Sequence, residues 1–127
     1  MYRPTREEVT WLLELIATRS SCVRRRIGAA IFSRDGVLLA TGFNHPEDLV
    51  QTCADDCPRA RSSVPAYSSY KEGPGKCIAI HAEDSAIRKT SPEDLRGGTI
   101  LITAEPCEDC QHLIWESGLD SWKVVQW

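Results

Sequence analysis

The stretch "IGAAIFSRDGVLLATGFN", residues 27–44, decides the fold. Two apolar runs flank Asp35-Gly36, a dipeptide favoured in tight hairpin turns because their conformations need positive φ, so residues 27–43 read as a β-hairpin. Upstream, Thr5 with Glu8 makes a capping box, and Val9, Leu12, Leu13 and Ile16 follow at helical spacing, which predicts an amphipathic helix over about residues 5–20. Downstream, residues 44–76 hold four of the seven prolines and no sustained period. A long irregular insert of this kind in a compact domain is usually functional or pinned by something. After it come a helix at about 81–90, a turn at "TSPEDLRGG" (90–98), a strand "TILITA" (99–104), a helix at about 107–117 ended by Gly118, and a last strand "SWKVVQW" (121–127). Helix, hairpin, then helix and strand in alternation predict an α/β fold, a three-layer α/β/α sandwich around a mixed sheet.

With 127 residues the chain fits one domain, residues 1–127, large enough to bury a core without covalent staples. It is 42% hydrophobic and 26% charged, with a formal charge of -3 and a pI near 5.6. That acidic balance argues against a general basic surface for long nucleic acid, while a local basic cluster, Arg24, Arg25 and Arg26, could still grip one phosphate. Glu7, Glu8 and Glu14 interrupt the first apolar stretch and exclude a secretory signal there, and no apolar run approaches the ~18 residues of a membrane span, so the expectation is a cytoplasmic protein with no membrane partner. In a reducing compartment the six cysteines are better read as metal ligands, catalytic thiolates or buried residues than as a disulfide framework.

"IHAEDSAIRK" (80–89) and "EPCEDCQHLI" (105–114) supply the chemistry. A catalytic zinc takes about three protein ligands and keeps one position open, and His81, Cys107 and Cys110 are such a set. His81 and the cysteine pair each sit where a predicted helix begins, and the free N–H groups and positive dipole end of a helix N-terminus favour thiolate. Glu83 is too close to His81 for both side chains to follow one helical face to one ion. It is better placed beside the metal, able to take a proton from water and pass it to a leaving group. H-x-E with P-C-x-x-C is the signature of zinc nucleobase deaminases, and "HAE" with "PCEDC" matches it fully. His45 and His112 read as surface or packing histidines.

On these motifs, together with "SSCVRRRIGAAIFSRDGVLLATGFN" (20–44) and "CIAIHAEDSAI" (77–87), the chain resembles the cytidine and deoxycytidylate deaminase superfamily, most closely its dCMP deaminase branch. The resemblance implies a central mixed sheet with helices on both faces, zinc on His81, Cys107 and Cys110, and Glu83 as proton shuttle in hydrolytic loss of ammonia from C4 of a pyrimidine. It implies that Asn44 touches sugar or base, where the bland reading is a turn residue ending the hairpin, and that Arg24, Arg25 and Arg26 offer a guanidinium to a 5′-phosphate. It also implies a fifth strand and a further helix beyond "VVQW", hence a mixed sheet of four to five strands, in which either the sheet has four strands or a neighbour completes it, and association into homo-oligomers is expected. His45 and Glu105 stand where the branch usually has glycine and serine, and E-P-C-x-x-C resembles tRNA adenosine deaminases and guanine deaminases.

Cys22, Cys53, Cys57 and Cys77 remain, a full complement for a second, structural zinc that would pin the insert, as in some dCMP deaminases; the alternative is four buried or reactive thiols. The expected function is zinc-dependent deamination of a free cytosine nucleotide, dCMP to dUMP. The alternatives are deamination of a base within RNA or single-stranded DNA, of a free base or nucleoside such as guanine, or a catalytically silent zinc-binding module.

Overall fold

A computed structural model describes the chain over residues 4–20, 26–46 and 79–125. The first helix, α1 (Arg6–Thr18), begins as its capping box dictates: Thr5 Oγ1 accepts from the Glu8 amide at 3.2 Å and Glu8 Oε1 accepts from the Thr5 amide at 2.9 Å. Its buried face, Leu13, Ile16 and Ala17, lies on β1 (Gly28–Phe32), every residue of which is buried.

β1 turns back into β2 (Leu38–Phe43) as the predicted antiparallel hairpin. The connection differs from the tight turn that Asp35-Gly36 suggests. It runs from Ser33 to Val37, only Gly36 has positive φ (83°), and a bulge shifts the register between Ile31 and Phe32. The cause lies in Ser33: its amide donates to Val37 O, its carbonyl accepts from Gly36, and its Oγ accepts from Asp35 and Val37, which closes a wider loop.

Next come the short antiparallel pair β3 (His45–Pro46) and β4 (Ala79–Ile80), then α2 (Ala82–Arg88), α3 (Pro92–Leu95), β5 (Thr99–Ile102), α4 (Glu108–Ser117) and β6 (Ser121–Val124). The segment predicted as a plain turn, "TSPEDLRGG", contains the one-turn helix α3, because Ser91 caps the Asp94 amide and Pro92 takes the first helical position. α4 ends on Gly118, whose φ of 98° is the left-handed stop expected there.

The main sheet has strand order β2-β1-β5-β6, with β5 antiparallel to β1 and parallel to β6. Alternation along β1 sends Ala30 and Phe32 to α1, and Ala29 and Ile31 to the opposite face, where Ile100 and Ile102 of β5 meet Ala82 and Ala86 of α2 and Ile114 of α4. Helices therefore cover both faces of a mixed sheet, the predicted three-layer sandwich with four strands among the described residues.

Two glycines set the spacing of those layers. A Cβ at Gly28 would lie 2.8 Å from Leu13 O, and one at Gly42 would lie 2.6 Å from the Ala86 amide and closer still to Ala82 O, so α1 and α2 rest directly on backbone from opposite sides.

Candidate active site

The start of α2 and the start of α4 face one another on the same side of the sheet, and their first residues build the site. His81 is the N-cap residue of α2 and Cys107 the N-cap residue of α4. Each carbonyl accepts the first helical bond, from Ser85 and Gln111 respectively, both at 2.9 Å. Neither side chain makes the cap hydrogen bond usual at that position. They turn to each other instead: His81 Nδ1 is 3.1 Å from Cys110 Sγ and 3.5 Å from Cys107 Sγ. The ligand atoms of His81, Cys107 and Cys110 all lie within 4.8 Å of one another, and the two cysteines form no disulfide.

Pro106, buried ahead of the pair, has its carbonyl held by Gln111 Nε2 at 3.0 Å, which fixes the entry into α4. Gly42 does the equivalent for α2 by letting it sit on β2. The β3–β4 ribbon leads into His81: His45, next to Asn44, pairs with Ile80, next to His81.

Glu83 lies one residue inside α2, 3% exposed, and its Oε1 has no hydrogen-bond partner among the described residues. Burial pushes its carboxyl above the usual range, against the opposing effects of its own backbone amide and of His81. Hydrogen bonding from Cys110 holds the Cys107 thiol well below the usual range, helped by His81 and opposed by burial. The same bond, with burial and the nearby Glu83, pushes Cys110 up. His81 is raised, chiefly through its bond to Cys107, with burial working against the rise.

These residues fit zinc. One imidazole and two thiols are its preferred donors, three of them leave room for a fourth ligand, and a buried carboxyl oxygen lacking a partner stands beside the group. His45, half-buried with its ring 5.1 Å from that of Phe43, and exposed His112 stand outside the ligand group, as their packing and surface readings expect.

The remaining sequence-derived residues divide between described and undescribed parts of the chain. Asn44 is 6% exposed, its Oδ1 accepting from the Ile27 amide at 2.9 Å, so it ties the end of the hairpin to its start. Arg26 is exposed just before β1, and Glu105 is exposed ahead of Pro106. Arg24, Arg25, Cys22, Cys53, Cys57 and Cys77 lie outside the described residues, as does almost all of the insert. Sequence reasoning passed over Ser20, 3% exposed, whose Oγ donates to Asn44 O at 2.8 Å. In the run Ser20-Ser21-Cys22 ahead of the arginine cluster, the first of two adjacent serines carries no signal of its own.

Residues 4–126 match the family model described as the cytidine and deoxycytidylate deaminase zinc-binding region. The deoxycytidylate deaminase of Mycobacterium phage D29 is 39% identical over 105 residues, covering 82% of this chain and 80% of that protein. The enzyme of the same name from Schizosaccharomyces pombe is 28% identical over 94% of this chain, which spans only 38% of the yeast protein. The crystal structure of the dCMP deaminase from cyanophage S-TIM5 in complex with dCMP and dUMP superposes with a TM-score of 0.68 at 25% identity, over 97% of this chain and 82% of that one. With its three-layer fold and its His-Cys-Cys cluster at two helix starts, the chain belongs to the zinc-dependent cytidine and deoxycytidylate deaminase family.

Proposed function

We propose that the protein hydrolyses dCMP to dUMP and ammonia, with zinc held by His81, Cys107 and Cys110 and protons moved by Glu83. The observation that carries this reading is the Glu83 carboxyl, buried to 3% exposure with Oε1 unpartnered among the described residues. A buried carboxyl oxygen without a partner costs stability, and a zinc that served only structure would have no use for it. This argues against a silent zinc-binding module. When bound, zinc supplies a Lewis acid that makes water acidic enough to lose a proton near neutral pH.

Glu83 takes that proton as the water oxygen attacks C4 of the pyrimidine, and returns it to the amino nitrogen as the C4–N bond breaks and ammonia leaves. Burial helps by raising the carboxyl toward neutrality, which brings acceptance and donation of a proton closer in energy. We assign the nucleotide to Asn44, buried just ahead of the ribbon that leads into His81, and to Arg24, Arg25 and Arg26 for the 5′-phosphate, of which Arg26 is exposed at the entry to β1. The net charge of -3 favours a free nucleotide over a base in a polynucleotide, which needs a basic track for flanking phosphates. The names of the phage and yeast relatives, and the dCMP and dUMP held by the cyanophage enzyme, point the same way.

We read Cys22, Cys53, Cys57 and Cys77 as ligands of a second, structural zinc, and the whole chain as one deaminase domain that associates with copies of itself in the cytoplasm. Among the described residues no helix is long and apolar enough to cross a membrane.

A panel of dCMP, deoxycytidine, guanine and a short cytosine-containing oligonucleotide tests the substrate. Zinc-loaded protein is expected to consume dCMP fastest, and turnover of the oligonucleotide or of guanine with dCMP untouched would overturn the reading. Native mass spectrometry of the same sample is expected to find two zinc ions per chain in an oligomer. One zinc per chain would refute the four-cysteine site.

A further inference from the structure

We infer that Ser20 is a positioning residue for the substrate, its hydroxyl locking the backbone of Asn44 and thereby setting that residue's side-chain amide at the start of the ribbon that leads into His81. The inference rests on the nucleotide reading of Asn44 given above.

Ser20 lies just past the end of α1 and is 3% exposed. A buried hydroxyl costs stability unless it is used, and this one donates to Asn44 O at 2.8 Å across 24 positions of sequence. Asn44 lies between β2 and β3 and is held from the other side as well. Its amide donates to Ile27 O at 3.4 Å, and its Oδ1 accepts from the Ile27 amide at 2.9 Å. Backbone N, backbone O and side-chain Oδ1 are thus each tied to the end of α1 or the approach to β1.

Asn44 directly precedes β3, β3 pairs with β4, and β4 runs straight into His81, so the clamp acts at the start of the ribbon that leads to the metal ligands. Removing the Ser20 hydroxyl releases one of the ties on Asn44 while leaving His81, Cys107, Cys110 and Glu83 in place. Loss of binding without loss of chemistry is the signature of such a residue.

The test is steady-state kinetics on dCMP with zinc-loaded Ser20→Ala, Ser20→Thr, Asn44→Ala and the Ser20→Ala/Asn44→Ala double variant, each with its zinc content and Tm. Ser20→Ala is expected to raise KM roughly three- to tenfold with kcat changed less than about twofold, the range for one uncharged hydrogen bond acting on ground-state binding. Ser20→Thr keeps the hydroxyl and is expected to bring KM back. The double variant is expected to be no worse in KM than Asn44→Ala, since both changes act through one contact. A Ser20→Ala protein with a lower Tm but unchanged KM, or a double variant whose KM multiplies the two single effects, would overturn the inference while a raised KM in Asn44→Ala keeps the nucleotide reading. An unchanged KM in Asn44→Ala would overturn the Asn44 reading and the inference with it. Should Asn44→Ala fail to hold zinc, the contrast between Ser20→Ala and Ser20→Thr decides alone.

Discussion

His81 and Cys107 occupy the same kind of backbone position, the N-cap of a helix, and neither performs the capping that position invites. Their side chains meet each other and Cys110 instead, so two helix N-termini contribute their positive ends to one cluster. This much was legible in the sequence, because H-x-E and P-C-x-x-C name both the donors and the helix starts. The polar ties behind the cluster were not. Asn44 read equally well as a turn residue or a substrate contact, and it does tie the hairpin through Oδ1. Ser20 acts through a bond to a residue distant in sequence, which no local pattern announces.

A consequence follows for proton balance. Cys110 is pushed above the ordinary thiol range by its bond to Cys107 and by burial, so it keeps its proton at neutral pH, whereas zinc takes thiolates. Zinc binding should therefore expel at least one proton, and affinity should rise with pH through neutrality. Calorimetry in two buffers of different ionisation enthalpy should give different apparent heats, and identical heats would contradict this.

Among the elements, α2 matters most because it carries both His81 at its start and Glu83 in its first turn. Its seat is Gly42, with no room for a Cβ against Ala82 O and the Ala86 amide, both backbone and unable to swing aside. Gly42→Ala should push the start of α2 off the sheet, cost about 1–3 kcal/mol by overpacking, and weaken zinc binding as well. Thermal melting and zinc titration of that variant check the two effects together; an unchanged Tm with unchanged affinity would show that α2 does not depend on the close approach. The sequence marked β2 and α2 but not how closely they meet, and it gave no sign of the two-residue strands β3 and β4 that lead into α2. It also marked Asp35-Gly36 as a turn without foreseeing that the Ser33 hydroxyl would widen the loop. The start signals of α3, Ser91 and Pro92, were present, but a one-turn helix has too few residues to show a period. On α1 the apolar Trp11 and Leu15 stay exposed while Leu13 is fully buried, a distinction set by the position of β1 and not by hydrophobicity.

For the whole molecule, alternation of helix and strand sufficed to foresee three layers around a mixed sheet, because each apolar face has only one kind of partner available. The insert gave no period to read, and the four cysteines assigned to a second zinc fall outside the described residues. Reaction class follows from three ligands and one buried carboxyl, while choice of substrate depends on contacts that Glu105 and His45 leave open in the sequence.

The role proposed for Glu83, moving the proton in zinc-dependent deamination of dCMP, is decided by the rate of conversion of dCMP to dUMP by zinc-loaded protein and by its Glu83→Gln variant, with bound zinc measured in both. The parent is expected to form dUMP, the variant to be slower by about 10²- to 10⁴-fold, and both to hold the zinc equally. A variant that keeps its zinc and still deaminates dCMP at the parent rate would contradict it.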